Sequence, residues 1–360
     1  MAGLRRTPVY KAHVRRGARM VEFAGFLMPV QYTSIRAEHT AVREAAGLFD
    51  VSHMGQIALD GPAAVATAEK LLTRKVSSLR PGGVRYGLLC NEEGGVVDDV
   101  TFYRLAESAL FLVVNAANVE KAYRWAVRHS TPEAGVRNTS EETAMFAVQG
   151  PASGDVMKAV CETDVTALKR YRFDRAEVAG CSALVSRTGY TGSDGFEIFS
   201  GAGDAERVFE ALLERGAGFG LVPAGLGCRD TLRLEAALPL YGHELDDVTS
   251  PLDAGLGRFV ELEGRDFLGA KAIALHWEAG SQRTLVGFEL VGRGVARAEH
   301  AVAVDGEVIG RVTSGAPSPT LGKSIGLAYV PPAVASPGQR IDIVIRSRAV
   351  EARVVETPFV

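Results

Sequence analysis

Gly94-Gly95-Val96-Val97-Asp98-Asp99-Val100-Thr101-Phe102-Tyr103 is the stretch whose reading decides how the rest of the chain is understood. Its two glycines supply a tight turn, and the valine-rich run after them predicts a β-strand. Side chains alternate along a strand, so Val97, Asp99, Thr101 and Tyr103 share one face, while Val96, Asp98, Val100 and Phe102 share the other. One face is then apolar and the other polar. A carboxylate and a phenol on one side of a valine-rich strand fit the wall of a cavity. They also fit a half-exposed strand whose aspartates tie down the preceding turn.

The neighbouring segments read as partners of that strand. Val84–Asn91 before it carries Tyr86, and Leu110–Val114 after it is expected to pair alongside. Asn115 then stands at a strand end, where its amide serves either a ligand or a local turn, and Asn118 is placed to cap a helix over 119–129. Upstream, a helix over about 34–46 takes Ser34 as its N-cap and Gly47 just past its end. Asp50 and His53 flank a turn into a further strand. His53 is either a general base or, as its missing nucleophile suggests, a histidine satisfied by hydrogen bonds.

Beyond a strand at 143–149 and a helix at 152–160, Tyr171 and Phe173 alternate with Arg170, Arg172 and Arg175. These residues suit stacking on a flat ring or a half-buried strand with a charged outer face. The run Ser186-Arg187-Thr188-Gly189-Tyr190-Thr191-Gly192-Ser193-Asp194-Gly195-Phe196-Glu197 has the glycines of a phosphate loop but is followed by a strand, so no helix N-terminus awaits an anion. Glu197 lies among Phe196, Ile198 and Phe199. A carboxylate buried there needs an ion pair or a heterocycle offering adjacent N–H and amino donors. After a helix at 204–215, Pro223-Ala224-Gly225-Leu226-Gly227-Cys228 leads into a helix over about 229–238. Arg229 and Arg233 share one of its faces; Asp230 is placed to relieve Arg233, and a buried glutamate or an anionic ligand to relieve Arg229. Tyr241 follows as a further pocket wall.

A polar linker around His276–Gln282 marks the clearest boundary and divides the chain into 1–279 and 280–360. Beyond it come strands at about 284–290, 300–304, 307–312, 324–330, 340–346 and 349–355, the pattern of a small barrel or sandwich. The fold class is α+β. At 360 residues, with 47% hydrophobic and 23% charged, the chain has the composition of a soluble globular protein. A net charge of -3 gives no support for nucleic-acid binding. No apolar run reaches the length of a membrane helix, and we expect a soluble, cytoplasmic protein. Four scattered cysteines and seven scattered histidines predict neither disulfides nor a metal site. Before the first acidic residue, Glu22, stand Arg5, Arg6, Lys11, Arg15, Arg16 and Arg19, a basic start suited to an acidic partner or to a transit peptide.

Several stretches together, TPVYKAHV, GARMVEFAGFLMPVQY, GLFDVSHMGQ, NEEGGVVDDV, VVNAAN, SRTGYTGSDGFE, PAGLGCRDTLRLEA, PLYGHELDD and SGAPSPTLGKSIGLAYV, resemble the folate-dependent aminomethyltransferases, the T-protein family of the glycine cleavage system. The resemblance runs in order from about Thr7 to Phe359. It makes the basic start part of the folded body, with no transit peptide before it. It implies a three-domain cloverleaf around a central folate-binding hole, the last domain being a small β-barrel. It also implies Asp99 as the catalytic acid and Glu197 as the residue that grips the pterin, with Tyr86, Asn115, Tyr190, Arg229 and Tyr241 as further folate-binding positions. The implied co-substrate is tetrahydrofolate, the implied partner a lipoylated H-protein, and the expected state a monomer. Cys228 departs from the family, which commonly has Ala there, and relatives often continue past Thr357-Pro358-Phe359 into a tail with a further arginine. Two other readings stand beside this one. A folate-dependent demethylase of the same superfamily would act on a methylated compound without H-protein; a folate-binding accessory protein would show no turnover.

Overall fold

The computed structural model describes residues 3–360. Contacts divide the chain into two compact units. The first comprises Met1–Glu69, Lys75–Tyr86 and Val100–Asp230; the second comprises Lys70–Arg74, Gly87–Asp99 and Thr231–Val360. The strands Val84–Cys90 and Val96–Ala106 each begin in one unit and end in the other.

The main sheet of the first unit has six strands in the order Phe173–Val178, Cys181–Ser186, Gly195–Gly201, Thr143–Gln149, Ala46–Asp50 and Leu221–Pro223. All neighbours are antiparallel except the last pair. Alternation along Gly195–Gly201 explains how this sheet serves two purposes. Phe196 and Ile198 enter a core with Phe146, Val148, Met157, Val208, Phe209 and Leu212. Those partners come in part from the helices Ser153–Val160 and Ala205–Gly216, which bury their apolar stripes against the sheet. Glu197 and Phe199 therefore point the other way. There Phe199 meets Tyr103 edge-on at 5.4 Å and Phe111 at 5.1 Å.

The strand Val96–Ala106 pairs with Ala109–Val114 as expected, Tyr103 lying opposite Phe111. Its two faces alternate as read, but the contrast between them does not hold. Asp98, on the face read as apolar, is fully buried, and so is Tyr103 on the polar one. Only Asp99 and Thr101 remain partly exposed within Val96–Arg104. The two glycines before the strand also differ in purpose. Gly94 takes a φ of +83°, which makes the turn. Gly95 instead permits a close approach, since a Cβ there would lie 1.8 Å from the carbonyl oxygen of Asp247.

Ser34 caps the helix Ile35–Glu44 by accepting from the Ala37 N–H at 3.2 Å. Gly47 does not end that helix. It lies inside the strand Ala46–Asp50, where a Cβ would come within 2.4 Å of Val42. Nor does the Asn118 side chain cap the helix Val119–His129, whose entry is a turn of 3-10 helix over Ala116–Asn118.

In the second unit six strands close into a barrel in the order Thr284–Leu290, Ser324–Val330, Glu307–Pro317, Ala301–Val304, Arg340–Ile345 and Arg348–Val355. Closure removes the exposed edges that a sandwich would keep. Inward-facing Val286, Phe288, Val302, Val312, Ala328, Ile341, Ile343 and Val354 fill it. Among the described residues no helix is long and apolar enough to cross a membrane, and no three His, Cys, Asp or Glu side chains gather as a metal site.

Candidate active site

Glu197 is buried at the centre of its strand, opposite Ala147 on one side and Ser186 on the other. Two hydroxyls converge on its Oε2: Thr188 Oγ1 at close range and Tyr103 Oη at 3.4 Å. Burial pushes the carboxyl above the usual glutamate range; Thr188, Arg229 and Tyr103 pull it back only part of the way. A buried acid with so little compensation is costly unless something else pairs with it.

Arg229 supplies the matching half. It lies on the helix Leu226–Glu235 with its guanidinium carbon 4.7 Å from the centre of the Tyr190 ring. Burial lowers its pKa despite Tyr190 and Glu197, and its Nη1 is buried with no hydrogen-bond partner. Buried Glu38 fixes the start of that helix, its Oε2 accepting from the Gly225 N–H at 2.9 Å while Oε1 accepts from Tyr32 at 2.7 Å and Thr33 at 3.0 Å. The Tyr190 loop is held just as tightly. Gln149, fully buried, donates to the Thr188 carbonyl at 3.1 Å and accepts from Thr191 Oγ1 at 3.0 Å. A Cβ at Gly189 would lie 1.9 Å from Gln149 Oε1, so this glycine serves close packing and not a phosphate. Arg187 grips Asp194 through two nitrogens, and Arg43 donates to the Thr191 carbonyl at 2.7 Å.

His53 is buried in the same unit, but hydrogen bonds do not satisfy it: its Nδ1 has no partner. Burial lowers its pKa to about 4, Arg229 adding to the effect and Asp50 opposing it. A neutral imidazole with that pKa is a poor general base near pH 7. Asp50 itself is bound to His13 Nε2 at 2.8 Å, and the other ring nitrogen of His13 meets Tyr32 Oη at 2.8 Å.

Tyr86, on the strand Val84–Cys90, and Asn115, just after Ala109–Val114, are partly buried in the first unit with Tyr190, Glu197 and Arg229. Asp99 and Tyr241 belong to the second. Burial raises the Tyr241 phenol well above its ordinary value, and the charges of Asp247, Asp98 and Asp246 raise it further. Arg233 has partners beyond the near acid Asp230: its Nη1 meets Glu244 Oε2 at 3.0 Å and its Nη2 meets Ser314 at 2.8 Å, all of them buried. Of the flat-ring candidates, Phe173 is buried 5.6 Å from the Tyr103 ring, and Tyr171 is exposed at a φ of +59°. In the basic start, Arg15 pairs with Glu206 and Glu210, and Arg16 pairs with Glu210. Thr188, Tyr103, Gln149 and Glu38 were not among the residues singled out as ligands. Only Tyr103, on the face of Asp99, gave a sequence signal.

Comparison with known proteins gives the family. The family model described as GCVT N-terminal domain matches residues 9–264, and that of the glycine cleavage T-protein C-terminal barrel domain matches 283–360. An aminomethyltransferase of Symbiobacterium thermophilum is 50% identical over 366 aligned residues, covering 99% of this chain and 97% of the relative. One from Moorella thermoacetica is 48% identical over 360, covering 100% and 98%. The crystal structure of glycine cleavage system aminomethyltransferase T from Bartonella henselae superposes with a TM-score of 0.93 at 34% identity, covering 99% of this chain and 98% of that one. With both family models matched and full-length identity near one half, the chain belongs to the aminomethyltransferase family, the T-proteins of the glycine cleavage system.

Proposed function

We propose that the chain transfers the aminomethyl carbon from the lipoyl arm of H-protein to tetrahydrofolate, giving 5,10-methylenetetrahydrofolate, ammonia and dihydrolipoyl H-protein. The observation that carries this reading is the buried, under-compensated pair of Glu197 and Arg229 beside the Tyr190 ring. A pterin fits those requirements. Its adjacent N–H and amino groups are donors for a carboxylate whose Oε2 already holds two hydroxyls, its carbonyl is an acceptor for Arg229 Nη1, and its flat ring suits a tyrosine face. Tyr86, Asn115 and Tyr241 are assigned as further folate contacts.

Tetrahydrofolate supplies the two nitrogens that take up the methylene carbon as its bonds to sulfur and to ammonia break. Positive charge develops on that carbon during transfer. The Asp99 carboxylate is assigned to stabilise it, an electrostatic contribution of a few kcal/mol in a site shielded from water. The fold fixes Asp99 near the start of its strand, so little reorganisation is needed as the charge appears. Arg5, Arg6, Lys11 and Arg19 are assigned to steer an acidic H-protein, Arg15 and Arg16 being committed to Glu206 and Glu210. Residues 1–279 are assigned to folate binding and 280–360 to the barrel domain, in a monomer that acts in the cytoplasm.

The test is ammonia release from aminomethyl-loaded H-protein, with and without tetrahydrofolate, beside the Asp99→Asn variant. Folate-dependent ammonia that collapses in the variant, with folate binding retained, is the expected result. Folate binding without ammonia from a cognate H-protein would overturn the transfer reading in favour of a demethylase or an accessory protein.

A further inference from the structure

The turn before the Asp98-Asp99 strand is built from more than glycine. Asn91 ends the strand Val84–Cys90, and its side chain works in two directions. Its Oδ1 accepts from the Gly95 N–H at 2.8 Å, closing the turn, while its Nδ2 donates to the carbonyl of Asp247 at 2.8 Å. The second bond leaves the turn and takes hold of the loop after Tyr241. That loop lies directly on the strand: the Val96 N–H, two residues before Asp98, donates to the carbonyls of Asp246 and Thr249, each at 3.1 Å. Gly95 makes the approach possible, because any side chain there would run into the Asp247 carbonyl oxygen. The loop has its own internal frame, with Asp246 Oδ1 accepting from Thr249 Oγ1 at 2.6 Å and from the Val248 N–H at 3.1 Å. Thr249 Oγ1 is held in turn by Arg283 Nη2 at 2.8 Å. Every one of these residues belongs to the second unit, as do Asp99 and Tyr241.

From this geometry we infer that Asn91 is a positioning residue: it locks the Asp246–Thr249 loop onto the start of the strand and so sets the placement of Asp99 and Tyr241 together. The physical reason is leverage. Val96 is the first strand residue, and Asp99 follows three positions later, so a shift of the clamped end is carried along the strand to the acid. Misplacement of a charge-stabilising group by about 1 Å is enough to cost on the order of a hundredfold in rate. A turn closed by Gly94 and Gly95 alone would leave the loop held to this end of the strand by the Val96 N–H without the side-chain clamp. The inference rests on the assignment of Asp99 to transfer, and two readouts keep them separable.

Asn91→Asp divides the two functions of the side chain. The carboxylate still accepts from the Gly95 N–H, but it offers no proton to the Asp247 carbonyl and sets two oxygens against each other. Asn91→Ala removes both bonds, and Gly95→Ala keeps the Asn91 side chain but drives the Asp247 carbonyl away from it sterically. In Asn91→Asp we expect turnover to fall roughly tenfold or more, with a smaller rise in KM for tetrahydrofolate, because Tyr241 shifts with Asp99 while the Glu197 and Arg229 contacts stay in place. We also expect amide hydrogen exchange at Val96 to accelerate at least about tenfold, through local opening of the clamp. Gly95→Ala is expected to give the same two signs. Wild-type turnover and a protected Val96 amide in Asn91→Asp would overturn the inference and leave Asn91 as a turn-closing residue. Loss of thermal stability in Asn91→Ala, with kcat unchanged in every soluble variant, would overturn it equally. Should Asp99→Asn retain full turnover, the assignment of Asp99 fails, while the Val96 exchange rate still reports on the clamp.

Discussion

Replacing Glu197 by Gln separates what this residue does for the fold from what it does for a ligand. Burial raises its pKa in the folded protein even with Arg229 and two hydroxyls nearby, so its charged form is net unfavourable in the unliganded state. The sign follows from linkage: a carboxyl whose folded pKa is raised contributes stability that is fully present below its unfolded pKa and is lost as pH rises through the folded value. At neutral pH the buried acid is therefore a burden, and the isosteric amide, which still accepts from Thr188 and Tyr103 through its carbonyl oxygen, removes it. Unliganded Glu197→Gln should melt higher than wild type at pH 7, and the gap should close as pH falls from the raised folded value to the ordinary glutamate range. Ligand binding moves the opposite way. The variant loses the charge on a hydrogen bond worth about 1.5–3 kcal/mol, which weakens tetrahydrofolate binding by roughly 10- to 150-fold. Calorimetric melting without ligand, combined with titration calorimetry, measures both changes in one protein. An unchanged dissociation constant, or a lower melting point for the unliganded variant, would refute the reasoning.

Three further outcomes are expected. Arg229→Lys exchanges a planar fork lying over the Tyr190 ring for a point charge, so folate affinity should drop at least tenfold by titration, with the fold intact by circular dichroism. Gly225→Ala places a Cβ 2.4 Å from the Val30 carbonyl carbon, backbone that has no rotamer to yield; a loss of about 1–3 kcal/mol in denaturant unfolding is expected. For the basic start, affinity for H-protein should weaken as salt rises from about 0.05 to 0.3 M, and Arg19→Ala should flatten that slope; salt-independent affinity would reduce the patch to ordinary surface.

Local patterns were legible where local rules decide them. All six barrel strands can be placed from alternation and turn residues, because in a closed antiparallel barrel every strand must keep one apolar face inward. The Ser34 cap is equally local, a hydroxyl meeting an N–H three residues away. The choice between barrel and sandwich was not legible, since it depends on whether the first and last strands pair, and Gly287 opposite Val355 is a contact across 68 residues of chain. Long-range partners were lost for the same reason. Asp230 was the near acid for Arg233, and the chain reversal after Leu238 that brings Glu244 to the same guanidinium was not visible. Gly47 looked like a helix stop because its real constraint, contact with Val42 and Ala224, exists only once the strand is seated.

The same distinction explains why Glu197 stood out in the sequence while its surroundings did not. A carboxylate between Phe196 and Ile198 is a local contradiction, visible without any partner, and contradictions of this kind mark places where burial serves something other than stability. The residues that make it tolerable are set by register. Thr188 reaches it because Ser186 lies opposite Glu197 on the adjacent strand, and Tyr103 comes from a different sheet. What surrounds the contradiction is a rigid frame: Gln149 wedged against Gly189, Arg187 on Asp194, Glu38 on three backbone N–H groups. None of these touches the Glu197 carboxylate, yet each fixes an element that carries a member of the group. Two buried charges whose pairing does not offset their desolvation would draw in water or collapse on a mobile scaffold. On a fixed one they stay apart and open to a ligand, so the binding energy of a donor-bearing heterocycle is gained without reorganising the site.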